Sequence, residues 1–318
     1  MHVHCQGCAG CCLDWRPLVE DPNAAKATPD RGRRRGPRRT PIDDVASFVP
    51  LTREDVRAFL EAGLGDALTP RLWEADAADE SVTIDGYEVA AIAGRPAFFV
   101  GLRKPPKLVA PFDLEEPTWL PSCVFLDPTT LQCRIHDTDH YPAECRTYPA
   151  HTAALEAETE CERVEGAFGG NRLCREGDAD DGCPDLAIEV TTAPDDTPLF
   201  GPQAIGQKLF TYPEPEALEG RLERLATDAL TLEDRAVFVA VAAASAPGTF
   251  ALSTPHRERA RTQVLEADSW VGRACRSWAE RAPEPAQWGT ATDDDQDRVT
   301  EAVEGAHGAP ETPGWDRS

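Results

Sequence analysis

Hydrophobic positions fall at helical spacing early in the chain, change to strand-like runs in the middle, and return to helical spacing after about residue 200. Thr52 opens the first helix: Glu54 and Asp55 sit in its first turn, Val56, Phe59 and Leu60 form an apolar stripe, and Gly63 ends it. Between 81 and 103 the runs SVTI, YEVAAIA and AFFVGLR are separated by Asp85-Gly86 and by Gly94-Arg95-Pro96, which predicts a β-meander with two tight turns. Pro105-Pro106 and the Pro-rich run to Pro121 predict a loop. Over 151–192, strand-like pieces (ALEAETECERV and LAIEVTT) alternate with a Gly/Asp-rich loop holding Cys174 and Cys183. Beyond 200, Leu218, Leu222 and Leu225 share one helical face and Thr231 caps the run TLEDRAVFVAVAAASA. Residues 255–282 read as one long Arg/Glu-laced helix containing Trp270 and Trp278. No internal repeat is evident.

Composition sharpens this outline. The chain has 318 residues, 41% of them hydrophobic, enough to bury a core and to exclude wholesale disorder. Asp and Glu total 56 against 32 Lys and Arg, a net charge of −24. Such an acidic surface reads as halophilic, and it argues against nucleic acid as a partner. Only four of the basic residues are Lys (Lys26, Lys104, Lys107 and Lys208). The sign inverts locally at 26–40, where residues 26–39 carry seven positive charges against one negative, broken by Pro and Gly. A flexible basic surface insertion is expected there. From Pro283 onward nine acidic residues face two Arg, and 283–318 is expected to be a disordered acidic tail. No stretch of about 18 apolar residues offers a membrane span. The first Cys at residue 5 leaves no room for a signal peptide, so a cytoplasmic setting with reduced thiols is expected.

Eleven Cys then need a role. An odd count, a reducing compartment and four thiols within residues 5–12 speak against a disulfide framework and for metal. The first motif is Cys5-x-x-Cys8-x-x-Cys11-Cys12, whose glycines let a loop wrap an ion closely. Its C-x-x-C steps turn successive sulfurs inward, as in runs that bind iron–sulfur clusters. The second comprises Cys123-Val-Phe-Leu, Cys133-Arg-Ile-His136 and Pro142-Ala-Glu-Cys145-Arg146-Thr-Tyr148-Pro149. Pro142 is expected to start a short helix whose first turn presents Cys145 and lowers that thiol's pKa.

Together with Val49-Pro50-Leu51-Thr52, these elements resemble, in order, the motifs of the CxxCxxCC cysteine-cluster proteins, the YkgJ-like, zinc- or iron-chelating domain family. The resemblance spans roughly residues 5–150, about half the chain. It departs from the family at Tyr141, where an Arg is usual, in two extra residues before Pro142, and in the basic insertion. The resemblance implies that Cys5, Cys8, Cys11, Cys12, Cys123, Cys133 and Cys145 ligate zinc, iron or an iron–sulfur cluster, including a [4Fe–4S] cluster. Seven thiols exceed one tetrahedral site, so a cluster with spare thiols, two ions sharing sulfurs, or two sites completed by His136 or Cys183 all stay open. The family also contains S-adenosylmethionine-dependent lysine N-methylases acting on flagellin. That implies an alternative enzymatic role, for which only the glycines around Gly166-Ala-Phe-Gly169-Gly170 offer a weak cofactor loop. A redox or electron-transfer iron–sulfur protein is a further alternative.

Other residues read more plainly. His2 and His4 are expected in a fraying terminus, His136 in packing, Arg146 against a carboxylate or a cluster sulfur, and Cys275 in a helical core. Cys161, Cys174 and Cys183 are open between ligand and structural thiol, with Cys161 on a strand-like segment. The whole predicts an α+β protein. Residues 1–195 form a small metal-organised cysteine-cluster domain with a β-meander and short helices, 196–282 a helical C-terminal region, and 283–318 the tail. Its expected partners are a metal ion and a protein partner or substrate.

Overall fold

The computed structural model describes residues 2–19, 40–43, 45–77, 79–154, 158–170, 172–174, 188–189, 204–284 and 302–312. These residues form an α+β fold of helices and antiparallel sheets. Helix α1 (Arg53–Glu61) starts where the sequence placed it. The Asp55 N–H donates to Thr52 Oγ1 and the Thr52 N–H to the Asp55 carboxylate, a capping box.

The expected meander is present as β3 (Glu80–Ile84), β4 (Tyr87–Ile92) and β5 (Arg95–Leu102). Its turns put Asp85 and Gly86 at φ 52° and 83°, and Ala93 and Gly94 at 52° and 70°. Consecutive positive φ values give the twist that closes a two-residue hairpin. Strand β5 is the hub of the sheet. It pairs antiparallel with β4, with β10 (Phe210–Thr211) through Ala97 and Phe98, and with β2 (Leu68–Arg71) through Phe99–Leu102. The Pro-rich run is not all loop: β6 (Pro106–Val109) and β7 (Thr118–Pro121) pair as a hairpin, with Pro106 opposite Pro121 at its end, where a missing N–H costs least. The chain start is not frayed either, because β1 (His2–Val3) lies between β8 (Leu173–Cys174) and β9 (Ile188–Glu189).

Two helical expectations are corrected. The segment read as strand-like around Cys161 forms α4 (Glu160–Phe168), preceded by the short α2 (Ala143–Thr147) and α3 (Ala150–Ala154). Thr159 and Glu162 form a second capping box, which decides for helix over strand. The long helix over 255–282 is two: α7 (Thr254–Leu265) and α8 (Trp270–Arg281). Ser269 separates them, capping the Val271 and Gly272 N–H groups while its own hydroxyl donates to Asp66 at 2.5 Å. Helix α5 (Arg221–Ala226) follows Gly220, at φ 72°, and α6 (Leu232–Ala244) begins at the expected Thr231 cap.

Helix α6 is buried continuously from Phe238 to Ala244 and packs on α1, α7, β2, β5 and β10. One hydrophobic core runs from Cys8 to Cys275, so the cysteine-bearing half and the helical half share it. The division expected at 195–196, and the basic insertion apart from Thr40, lie outside the described residues. Among the described residues no helix is long and apolar enough to cross a membrane.

Part of the expected tail is ordered. Helix α9 (Ala302–Ala306) packs Val303 with Leu108, Trp119 and Trp278. Its Glu304 is 3% exposed, ion-pairs with Lys107 and with Arg134 Nε at 2.7 Å, and accepts from Trp278 Nε1 at 3.2 Å. Lys107 Nζ also donates to the Val124 and Leu126 carbonyls at 3.0 and 2.7 Å. Beyond the helix, Arg134 donates to the Pro310 carbonyl at 2.6 Å and Thr312 to Asp127 at 3.1 Å. Composition pointed to disorder because it counts charges without their partners; here the acid meets two buried cations. Removing one partner of a buried pair strands the other. Glu304→Gln is therefore expected to cost about 3–5 kcal/mol of stability in a denaturant titration.

Candidate metal centre

The first cysteine loop is shaped by its small residues. Gly7 and Ala9 take φ 65° and 50°, which turns the chain back on itself: the Cys8 N–H reaches the Cys5 carbonyl at 3.0 Å, the Cys12 N–H the Ala9 carbonyl at 2.8 Å. Gly10 passes so close to α4 that a Cβ there would stand 2.6 Å from Val164 Cγ2. Trp15 locks the loop's end, donating from Nε1 to Glu160 at 2.6 Å and meeting Phe168 edge-on at 5.7 Å.

Backbone pairing then unites the two motifs. Leu13 and Ser122 form an antiparallel bridge, the Cys123 N–H donates to the Cys12 carbonyl at 2.8 Å, and the Asp14 N–H donates to the Pro121 carbonyl at 2.8 Å. The segment from Cys123 to Cys133 folds into a hairpin-like loop closed by a Leu126–Cys133 bridge. Phe125, stacked on Phe59 of α1 at 5.6 Å, anchors it. Helix α2 carries Cys145, as expected, and α4 brings Cys161.

All seven expected thiols, with Cys161 as an eighth, are thereby drawn into one neighbourhood. Cys8 and Cys123 are buried and the others half-buried. Their mutual influences group into two sets that overlap at Cys12: Cys161 goes with Cys5, Cys8 and Cys11, and Cys133 and Cys145 go with Cys12 and Cys123, while Cys12 also acts on Cys5 and Cys8. The vicinal pair joins the sets, with Cys11 and Cys12 sulfurs 3.9 Å apart. Burial pushes the Cys5 thiol up to about 12, helped by Cys8 and Cys12, and the Cys123 thiol up to about 11, helped by Cys12. Cys133, Cys145 and Cys161 are driven up in the same way. For Cys145 this reverses the expected lowering: burial, then Cys12, Cys123 and Cys133, outweigh the helix start. Three cations oppose the rise, Arg172 beside Cys5 and Cys8, and Lys104 and Lys107 beside Cys12 and Cys123.

Three cations cannot balance eight thiolates, so ionising the cluster calls for further positive charge. Soft sulfur donors in this number suit a thiophilic metal in kind. The Cys11–Cys12 separation of 3.9 Å is near the roughly 3.8 Å between two thiolates on a tetrahedral ion with bonds of about 2.3 Å. Among the described residues no three His, Cys, Asp or Glu side chains stand in a geometry that holds an ion as they are, so loading requires the loops to draw inward.

The remaining expectations divide. His136 packs against the Tyr141 ring at 4.8 Å and pairs with the exposed Asp137. Among the described residues Arg146 meets neither carboxylate nor sulfur; it donates to the Tyr141 and Thr138 carbonyls at 3.0 and 3.1 Å. Tyr141, where the cysteine-cluster proteins have Arg, donates its hydroxyl to the Cys145 carbonyl at 3.3 Å. His4 Nε2 is buried without a hydrogen-bond partner beside the first loop. Cys275 is buried in α8. Gly166 lies within α4 and Gly169-Gly170 follow its C-terminal end, so these glycines end a helix and do not join a strand to a helix. Cys183 and the Cys174 side chain lie outside the described residues. Cys161 was legible after all: Thr159-Glu-Cys161-Glu162 is a capping box that puts the thiol in a helix's first turn.

The model of a family of unknown function, DUF7531, matches residues 1–316. The chain belongs to that family. No curated protein and no solved structure matches the chain. The family match runs through the cysteine loops, the C-terminal helices and the docked α9 segment, so the family unit is wider than the cysteine motifs.

Two predictions follow from this geometry. In reduced, metal-free protein the unfolded thiols ionise near their ordinary 9.0, while folded Cys5 and Cys123 keep their protons to about 12 and 11. The stability that they contribute is therefore full below about 9 and lost as pH rises through about 11–12, seen as a falling urea midpoint in the presence of chelator. Separately, Gly10→Ala is expected to cost about 1–3 kcal/mol by overpacking, and Val164→Ala in the same chain to recover most of it.

Proposed function

We propose that this protein holds zinc, iron or an iron–sulfur cluster through its cysteine cluster. The observation that carries the reading is the convergence of eight thiols from four separate segments, against three nearby cations. The resemblance of residues 5–150 to the CxxCxxCC proteins supports seven of the ligands, and Cys161 adds the eighth. The two sets favour two four-thiolate sites side by side: Cys5, Cys8, Cys11 and Cys161 in one, Cys12, Cys123, Cys133 and Cys145 in the other. Four thiolates complete a tetrahedral shell and leave no open position for a substrate, which suits a structural or electron-transfer centre better than a catalytic one. Such a centre ties the chain start to α2 and α4, so metal affinity becomes folding free energy.

The test is anaerobic purification in high salt, with metal, acid-labile sulfide and the visible spectrum measured together. Zinc without sulfide or colour identifies a structural centre; iron with matching sulfide and a charge-transfer band that bleaches on reduction identifies a cluster. Cys161→Ser and Cys145→Ser are each expected to remove about half of the bound metal, because each breaks a different set. Undiminished metal content in Cys8→Ser, Cys145→Ser and Cys161→Ser alike overturns the reading.

A further inference from the structure

A second feature lies behind the cysteine cluster, between the β2–β5 pair, the segment before α1, and helices α5, α6 and α8. It is a cavity of about 180 Å³, lined among others by Arg71, Arg103, Lys104 and Arg235. Among the described residues that line it, two carboxylates, Asp43 and Asp228, face these four cations, with Asp14 and Asp234 acting on them from outside the lining. The chain as a whole carries −24, so a local excess of two positive charges inside it runs against the composition.

Few donors of these cations are used by the protein. Arg71 gives Nε and one terminal nitrogen to Asp43 at 3.1 Å. Arg103 gives one N–H to the Asp66 carbonyl at 3.2 Å, and Lys104 one to the Ala46 carbonyl at 3.2 Å. Arg235 reaches the Leu230 carbonyl at 2.6 Å, but its Nε is buried with no hydrogen-bond partner. Burial, with Arg103 the next cause, pulls the Arg235 guanidinium down to about 10, outweighing the opposing pull of Cys275, Asp228 and Asp234. A buried guanidinium N–H left unmade is costly. Phe48, Leu225 and Leu230 supply apolar wall beside the charges.

We infer that this cavity binds a small organic dianion whose carboxylate or phosphate oxygens take up the free N–H groups of Arg235 and its neighbouring cations. Two excess positive charges match a dianion. Planar guanidinium forks match carboxylate and phosphate oxygens. The apolar wall takes a short carbon body, and the volume, below the roughly 300 Å³ of drug-sized sites, limits it to a metabolite-sized molecule. Lys104 borders both the cavity and the Cys12–Cys123 thiols, so the bound anion would sit one side chain from the cysteine cluster. The inference does not rest on that cluster holding metal.

Succinate and phenyl phosphate, each titrated calorimetrically into the full chain as purified at constant ionic strength, test the site and distinguish the two head groups. Saturable binding of at least one is expected. Arg235→Met should weaken it about tenfold or more, since it removes a charge-assisted contact. Asp228→Asn should tighten it, because it deletes an opposing negative charge; damage to the fold could not do that. No saturable binding of either probe, binding that Arg235→Met leaves unchanged, or binding that Asp228→Asn fails to strengthen each overturns the site.

Discussion

The short antiparallel contact between residues 12–14 and 121–123 is what the candidate centre depends on. Its main-chain hydrogen bonds, Cys123 to Cys12 and Asp14 to Pro121, join segments more than 100 residues apart in sequence. Being backbone bonds, they act whatever the redox or metal state of the thiols. Everything else in the neighbourhood keeps that contact in place: Trp15 on Glu160, Phe125 on Phe59, Gly10 under Val164. A metal would add to an arrangement that hydrophobic packing already specifies, which fits a core continuous from Cys8 to Cys275.

Basic residues divide by kind as well as place. Of 32, only four are Lys, and each of the three described ones lies in the interior or at its edge with a defined partner. Lys107 meets Glu304, Lys208 meets Glu144 of α2 at 2.6 Å, and Lys104 stands between the thiols and the cationic cavity. An ammonium is compact and can donate in three directions, as Lys107 does to two carbonyls and a carboxylate; a planar guanidinium cannot enter such a site unchanged. Arg meets one carboxylate at some sites, as Arg71 does with Asp43, two at others, as Arg134 does with Asp127 and Glu304, and backbone carbonyls at Arg103, Arg146 and Arg235.

Local signals were the legible ones. Capping residues at Thr52 and Thr231 and the turn at Asp85-Gly86 act within a few residues, and the meander and both helices follow from them; the second turn, expected over Gly94-Arg95-Pro96, falls at Ala93-Gly94, with Arg95 and Pro96 already in β5. The same logic applied to Thr159 would have placed Cys161 on a helix, but the β-like alternation of ALEAETECERV masked the capping box. Long-range effects were not legible. Nothing near Ser269 announces that Asp66, 203 residues earlier, will hold its hydroxyl and split the helix. Nothing near Glu304 announces Lys107 and Arg134. The rise at Cys145 comes likewise from burial in the fold and then from thiols contributed by distant segments, whereas the helix start that argued for lowering is local. Of the candidate centre, the motif cysteines were readable and their convergence was not.

The Glu304 contact also sets an order of events during synthesis. The loop from Cys123 to Cys133 is framed by Lys107 and Arg134, and both await an acid that the ribosome delivers about 170 residues after Arg134. Before it, the chain offers Arg134 only Asp127 within the same loop and Lys107 only the Val124 and Leu126 carbonyls, so among the described residues the buried charge balance around the loop is completed by the last helix.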